Sequence, residues 1–226
     1  MLYFITFVPP ILILLYFINS DRFREPARLI IVVLILGFFI GATAGRVNDW
    51  FIAKFSSGDW LNDTIIGGVV AGAMVEELLK FFILYFIIFD RKEFKEPMDG
   101  IVYGVTISIG FAILENYDYI FRLSESYKIN PYEMAVLRIL PLTMHSLNGC
   151  IMGFYFSKLA FTGDRKYLGQ AIFIPMLLHG LYNFSWSISK FLPYIILLMI
   201  IIFAIGLHRQ IKSEQMKKVK KHQKII

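Results

Sequence analysis

The chain has 226 residues, of which 57% are hydrophobic and 22 are Phe, and its mean hydropathy is +0.63; this excludes an ordinary soluble domain. Its one cysteine, Cys150, excludes a disulfide framework and a cysteine zinc cluster, and reads as a small apolar residue in a packed helix. The net charge of +6 comes largely from the stretch after His208, where seven Lys and Arg face only Glu214; such a tail suits anionic lipid at a cytoplasmic surface and requires no nucleic acid.

A membrane-spanning helix needs about 17 to 25 mostly apolar residues. Seven segments qualify, at 3–19, 28–45, 64–89, 99–121, 134–157, 169–189 and 191–207. The first is not read as a cleaved leader, because no positive charge precedes it and no small-residue cleavage pattern follows before Asn19, Ser20 and Asp21. The second and the seventh, like the first, have no ionisable side chain in their interiors. The third carries Glu76, Glu77 and Lys80, and the fourth carries Glu115 with Asn116 and Asp118 close by. The fifth carries His145 and Asn148, and the sixth His179 and Asn183. Loops between segments are short, so residues 1–208 read as one membrane-embedded domain and 209–226 as a basic cytoplasmic tail. The expected architecture is an all-α polytopic transmembrane bundle of about seven spans. With the C-terminus inside, the N-terminus lies outside, and sixteen Lys and Arg then face the cytoplasm against six, Arg138 among them, on the other side.

An ionisable side chain at mid-bilayer costs about 2.5–3.5 kcal/mol on insertion scales, so the polar groups must face one another, water or the bundle interior. Helical spacing supports this. Gly68, Gly72, Glu76 and Lys80 recur every four residues; Gly100, Gly104, Ser108, Phe111, Glu115 and Asp118 share a face; His145, Gly149 and Gly153 share another, as do His179 and Asn183. At 1.5 Å of rise per residue, Glu76 lies about 18 Å, Glu115 about 10 Å and each histidine about 15 Å below the outer end of its span. Pro141 and Pro175, each four residues before a histidine, free a carbonyl one turn earlier and can bend their helices.

Two adjacent carboxylates in a low dielectric cannot both be ionised cheaply, and Lys80, one turn from Glu76, opposes that repulsion. Carboxylates able to activate water, beside imidazoles able to donate to an oxyanion, suit hydrolysis of a peptide bond. The bland alternative makes Glu76 and Lys80 an intrahelical ion pair and the histidines partners of backbone groups. A zinc set of Glu76, Glu115, His145 and His179 is a further alternative, although no HExxH pair is present; the residues themselves demand no cofactor. A proton-coupled transporter or a helix-binding scaffold are rivals from other classes, but the ionisable groups occupy one block of consecutive spans with no visible second half.

The motifs EELLK (76–80), FAILEN (111–116), HSLNG (145–149) and HGLYN (179–183), on successive spans, resemble the PrsW intramembrane protease family, within the superfamily of type II CAAX prenyl endopeptidases. REP (24–26), DGIVYG (99–104) and IMGFYF (151–156) are similar as well, and the resemblance runs from about residue 10 to 207. It implies that Glu76 and Glu77 are the essential glutamate pair with Glu76 as base, that His179 and Asn183 hold the oxyanion, and that Glu115 and His145 complete the site. The CAAX enzymes have histidine where Glu115 stands, which leaves open whether Glu115 or His145 orients the water. The resemblance further implies a bacterial cytoplasmic membrane protease whose substrate is a single-span anti-sigma factor, cut first on its extracytoplasmic side under envelope stress.

Overall fold

Glycine decides which helix becomes the centre of this bundle. The computed structural model describes the backbone of residues 1–223 and the side chains of residues 1–217, and its middle helix, α4 (Pro97–Leu123), is buried along most of its length. A Cβ on Gly104 would lie 2.3 Å from the carbonyl oxygen of Gly149, and one on Gly153 would lie 2.1 Å from that of Gly100. Only glycine permits this approach of α4 to α5 (Pro131–Thr162). On the opposite face of α4, Gly37 of α2 (Ala27–Phe55) and Gly110 meet the Ile107 and Leu34 carbonyls in the same way.

The remaining helices wrap this pair. They are α1 (Leu2–Ser20), a continuous helical run α3 (60–88), α6 (Lys166–Ile188) and α7 (Leu192–Gln223). Among the described residues there is no strand, so the chain is an all-α polytopic bundle. Among the described residues, six helices are long and apolar enough to cross a membrane; α3 is long enough but carries Glu76, Glu77 and Lys80. Within α3 the backbone widens to a π-helix over Ile65–Val75 and Leu84–Ile88, on either side of an α-helical Glu76–Ile83. A π-helical stretch turns each following side chain off the regular α-helical faces, and such stretches concentrate at functional sites.

The three largest departures from the expected spans lie in α2, α5 and α7. α2 continues ten residues past the apolar run ending at 45, through Arg46, Asn48 and Asp49, because backbone hydrogen bonds propagate the helix where hydrophobicity stops. α5 is interrupted at Arg138 between Pro131–Leu137 and Ile139–Thr162. Pro141 has no N–H to offer the carbonyl of Leu137, four residues earlier, which is where the helix breaks. Of the expected tail from residue 209, the backbone to Gln223 continues α7; residues 224–226 and the side chains from Lys218 onward lie outside the described residues.

The two ends of the bundle are both polar inside. One, at the start of α1, opens into a cavity. The other gathers Asp21, Glu25, Glu96 and Asp99 around the start of α4, where the Asp99 side chain accepts the Lys95 and Glu96 N–H groups at 2.7 and 2.9 Å. Burial pushes the Glu96 carboxyl up to about 7 and raises that of Glu25 above its ordinary value.

Candidate active site

The cavity has a volume of about 700 Å³ and is walled by the C-terminal half of α2, the N-terminal half of α3, the C-terminal half of α4, the start of α5 and the C-terminal half of α6. Glu76, Glu115, His145, His179 and Asn183 all line it, and Glu77 lies directly behind. Glu76 and Glu77 are 5% and 0% exposed, although they are neighbours in sequence on a helix that also carries the exposed Met74, Phe82 and Phe86. Gly67, Gly68 and Gly72 leave the upper wall of α3 without side chains, so that Asn183 reaches across and donates to the Gly68 carbonyl at 3.0 Å.

Behind the wall the charges are matched one by one. Lys80 donates to Glu77 at 2.7 Å, with both side chains fully buried, and its ammonium lies 4.3 Å from the centre of the Phe111 ring. The helical partner of Lys80 is therefore Glu77 and not Glu76, so the ion pair of the bland alternative is not formed. The same Glu77 oxygen is 2.9 Å from His179 Nδ1. Lys80 also lies 3.0 Å from His145 Nδ1, so this nitrogen accepts and Nε2 carries the proton towards Glu115 at 2.9 Å. Arg138 completes the chain, with Nη2 on Glu115 at 2.5 Å, Nε on Asn116 at 2.9 Å and its guanidinium over the Tyr119 ring. Arg138, counted above among the charges of the outer side, is instead buried against the site, delivered there by the break at the head of α5.

Glu76 is treated differently. It receives only the Asn48 amide, at 3.1 Å on Oε1, and Oε2 is buried with no partner among the described residues. Glu76 thus lines the cavity with one oxygen uncommitted; Glu77 also has an unpartnered Oε2, but it lies behind the wall and its Oε1 is shared by Lys80 and His179. His179 is oriented through Nδ1, which leaves Nε2 as its uncommitted nitrogen. The His145 and His179 rings stand perpendicular with centroids 4.8 Å apart.

One ligand atom each from Glu76, His145 and His179 lie within 4.8 Å of one another. Two imidazoles and a carboxylate are a common donor set for catalytic zinc, and a carboxylate behind an imidazole, as Glu77 stands behind His179, is the usual support for such a ligand. With Glu76 Oε2 unpartnered as well, Glu76 and His179 fit a zinc-like ion, and His145 would join them only by releasing Lys80 or Glu115, which hold its two ring nitrogens.

Sequence reasoning missed Asn48, Arg138 and Tyr119. For Arg138 a signal existed: it stands in the apolar segment 134–157, one helical turn inside the first residue, Met134, where an unpaired cation is costly. Asn48 gave no signal, since it follows the end of the apolar run, and Tyr119 is one aromatic residue among many in the spans.

The family profile described as PrsW family intramembrane metalloprotease matches residues 25–206. "Protease PrsW" of Oceanobacillus iheyensis is 34% identical over 206 residues, covering 89% of this chain and 90% of the relative. The proteins of the same name from Clostridioides difficile and Bacillus subtilis are each 32% identical, over 208 and 222 residues; these alignments cover 86% of both chains in the first case, and 91% of this chain and 92% of the relative in the second. No solved structure matches the chain. With the family profile spanning most of its length and its apolar helices gathered round one buried polar cavity, the chain belongs to the PrsW family of intramembrane proteases, and is a multi-pass membrane peptidase of bacterial type.

Proposed function

We propose that the cavity is the site of peptide-bond hydrolysis and that Glu76 directs the attacking water. The observation that carries this reading is the carboxylate of Glu76, which lines the cavity near His179 and whose Oε2 has no partner among the described residues. A water at Oε2 gives up a proton to the carboxylate as it attacks the carbonyl carbon, and Glu76 returns that proton to the departing amine. Asn183 donates one amide hydrogen to Gly68 and has a second for the developing oxyanion. His145, held at both ring nitrogens, keeps Glu115 in place, and Arg138 balances the charge of that carboxylate. This assigns the water to Glu76, with Glu115 and His145 as its electrostatic frame.

Glu76 and His179, joined by His145 if it releases Lys80, would hold a zinc-like ion, which would supply a more acidic water and polarisation of the scissile carbonyl. Glu77 then fixes the tautomer of His179, and the cavity keeps the reacting atoms away from lipid.

The substrate in this reading is a single-span membrane protein of the anti-sigma factor class, cut first on the extracytoplasmic side so that a sigma factor is released under envelope stress. Charge bias supports the side: the cavity lies at the end of the bundle where α1 begins, and the opposite end carries most of the Lys and Arg. The protein resides in the bacterial cytoplasmic membrane. Purified protein in liposomes with such a substrate is expected to give two fragments, and His179→Ala, shown to be inserted and stable, to give none. Removal of divalent metal by a chelator is expected to stop cleavage and zinc to restore it. Proton flux without hydrolysis would instead mark a transporter, and binding alone a scaffold.

A further inference from the structure

The far end of the bundle holds a second group of carboxylates for which proteolysis has no task. Asp21 closes α1, Glu25 lies in the turn before α2, and Asp99 lies in the first turn of α4; none is more than 9% exposed. Glu25 and Asp99 belong to the REP and DGIVYG stretches, which the cavity leaves unexplained. One carboxylate oxygen from each of the three lies within 4.8 Å of the other two.

Their donors are few and neutral. Asp21 Oδ1 accepts the Phe23 N–H at 2.9 Å and the Gln215 amide at 2.8 Å. Glu25 accepts the Tyr103 hydroxyl, and Asp99 Oδ2 accepts two backbone N–H groups. Asp21 Oδ2 and Asp99 Oδ1 are buried with no partner among the described residues, and none of the three carboxylates forms an ion pair there. Buried acceptors of this kind need a donor or a cation. All the available ligand atoms are oxygens, which suits Ca²⁺, Mg²⁺ or Mn²⁺ and disfavours the softer metals.

We propose that Asp21, Glu25 and Asp99 bind a hard divalent cation that clamps the turn between α1 and α2 to the start of α4. The site is separate from the cavity, at the other end of the same central helix. It does not depend on the catalytic assignment.

The full chain, stripped of metal in nanodiscs of zwitterionic lipid, is titrated with Mn²⁺ and the free ion is followed by electron paramagnetic resonance, against empty nanodiscs. Mg²⁺ and Ca²⁺ are added as competitors to identify the preferred ion. Wild type and His179→Ala are both expected to retain a saturable site, whereas Asp21→Asn, which keeps an oxygen for Phe23 and Gln215, loses at least tenfold in affinity. Glu25→Gln provides the same reading through a second side chain, and cooperative melting in chelator checks that each variant is folded. Three results would overturn the proposal: no saturable binding to wild type at millimolar cation, loss of all binding in His179→Ala, or unchanged affinity in both Asp21→Asn and Glu25→Gln.

Discussion

The two polar ends of this bundle solve the same electrostatic problem differently. At the cavity, Glu77 and Glu115 are each matched by a cation, Lys80 and Arg138, whereas Glu76 on the cavity wall has only the neutral Asn48 amide. At the far end Asp21, Glu25 and Asp99 have neutral donors alone. A carboxylate with a built-in counter-ion is a structural part, and one without it is prepared for something that comes from outside. By that criterion Glu76 awaits water or metal, and the far cluster awaits a cation.

The largest effect should come from breaking a matched pair. Glu77→Gln leaves the Lys80 ammonium buried without its counter-charge, and loss of one partner of a buried pair typically costs about 3–5 kcal/mol. Thermal melting in detergent should show this, and adding Lys80→Met should recover a large part of it, whereas Glu76→Gln should leave the melting point nearly unchanged. Next in size, Gly153→Val forces a side chain against the Gly100 backbone, an overpacking expected to cost about 1–3 kcal/mol or more and measurable in the same melts. Arg138→Ala removes the charge that balances Glu115, and a tenfold loss in kcat/KM, about 1.4 kcal/mol in transition-state stabilisation, is expected in a reconstituted cleavage assay. The smallest effect belongs to Asn48→Ala, which deletes one hydrogen bond to Glu76, about 0.5–1.5 kcal/mol, and should slow cleavage by a fewfold.

Much of this was legible in the sequence because membrane insertion makes ionisable residues costly. Glu76, Glu115, His145 and His179 announced themselves by standing in apolar segments, and the glycine spacing of 100, 104, 149 and 153 announced which faces would meet. The division between Glu76 and Glu77 was not legible. Lys80 is four residues from one and three from the other, both within reach on an α-helix, and the choice depends on the turn by which the π-helical Ile65–Val75 presents them. Asn48 was hidden because helix propagation outruns apolarity, whereas the signal at Arg138, a cation inside an apolar segment, also fits an interfacial anchor until the break before Ile139 is seen to turn it inward.

The most direct measurement is the cleavage rate of Glu76→Gln, reconstituted with a single-span substrate and compared with wild type at matched insertion and melting temperature. A general base contributes about 10²- to 10⁴-fold, so cleavage should fall by at least about a hundredfold while the fold is retained. Cleavage at the wild-type rate by an inserted, stable Glu76→Gln protein would contradict the assignment of the water to this carboxylate.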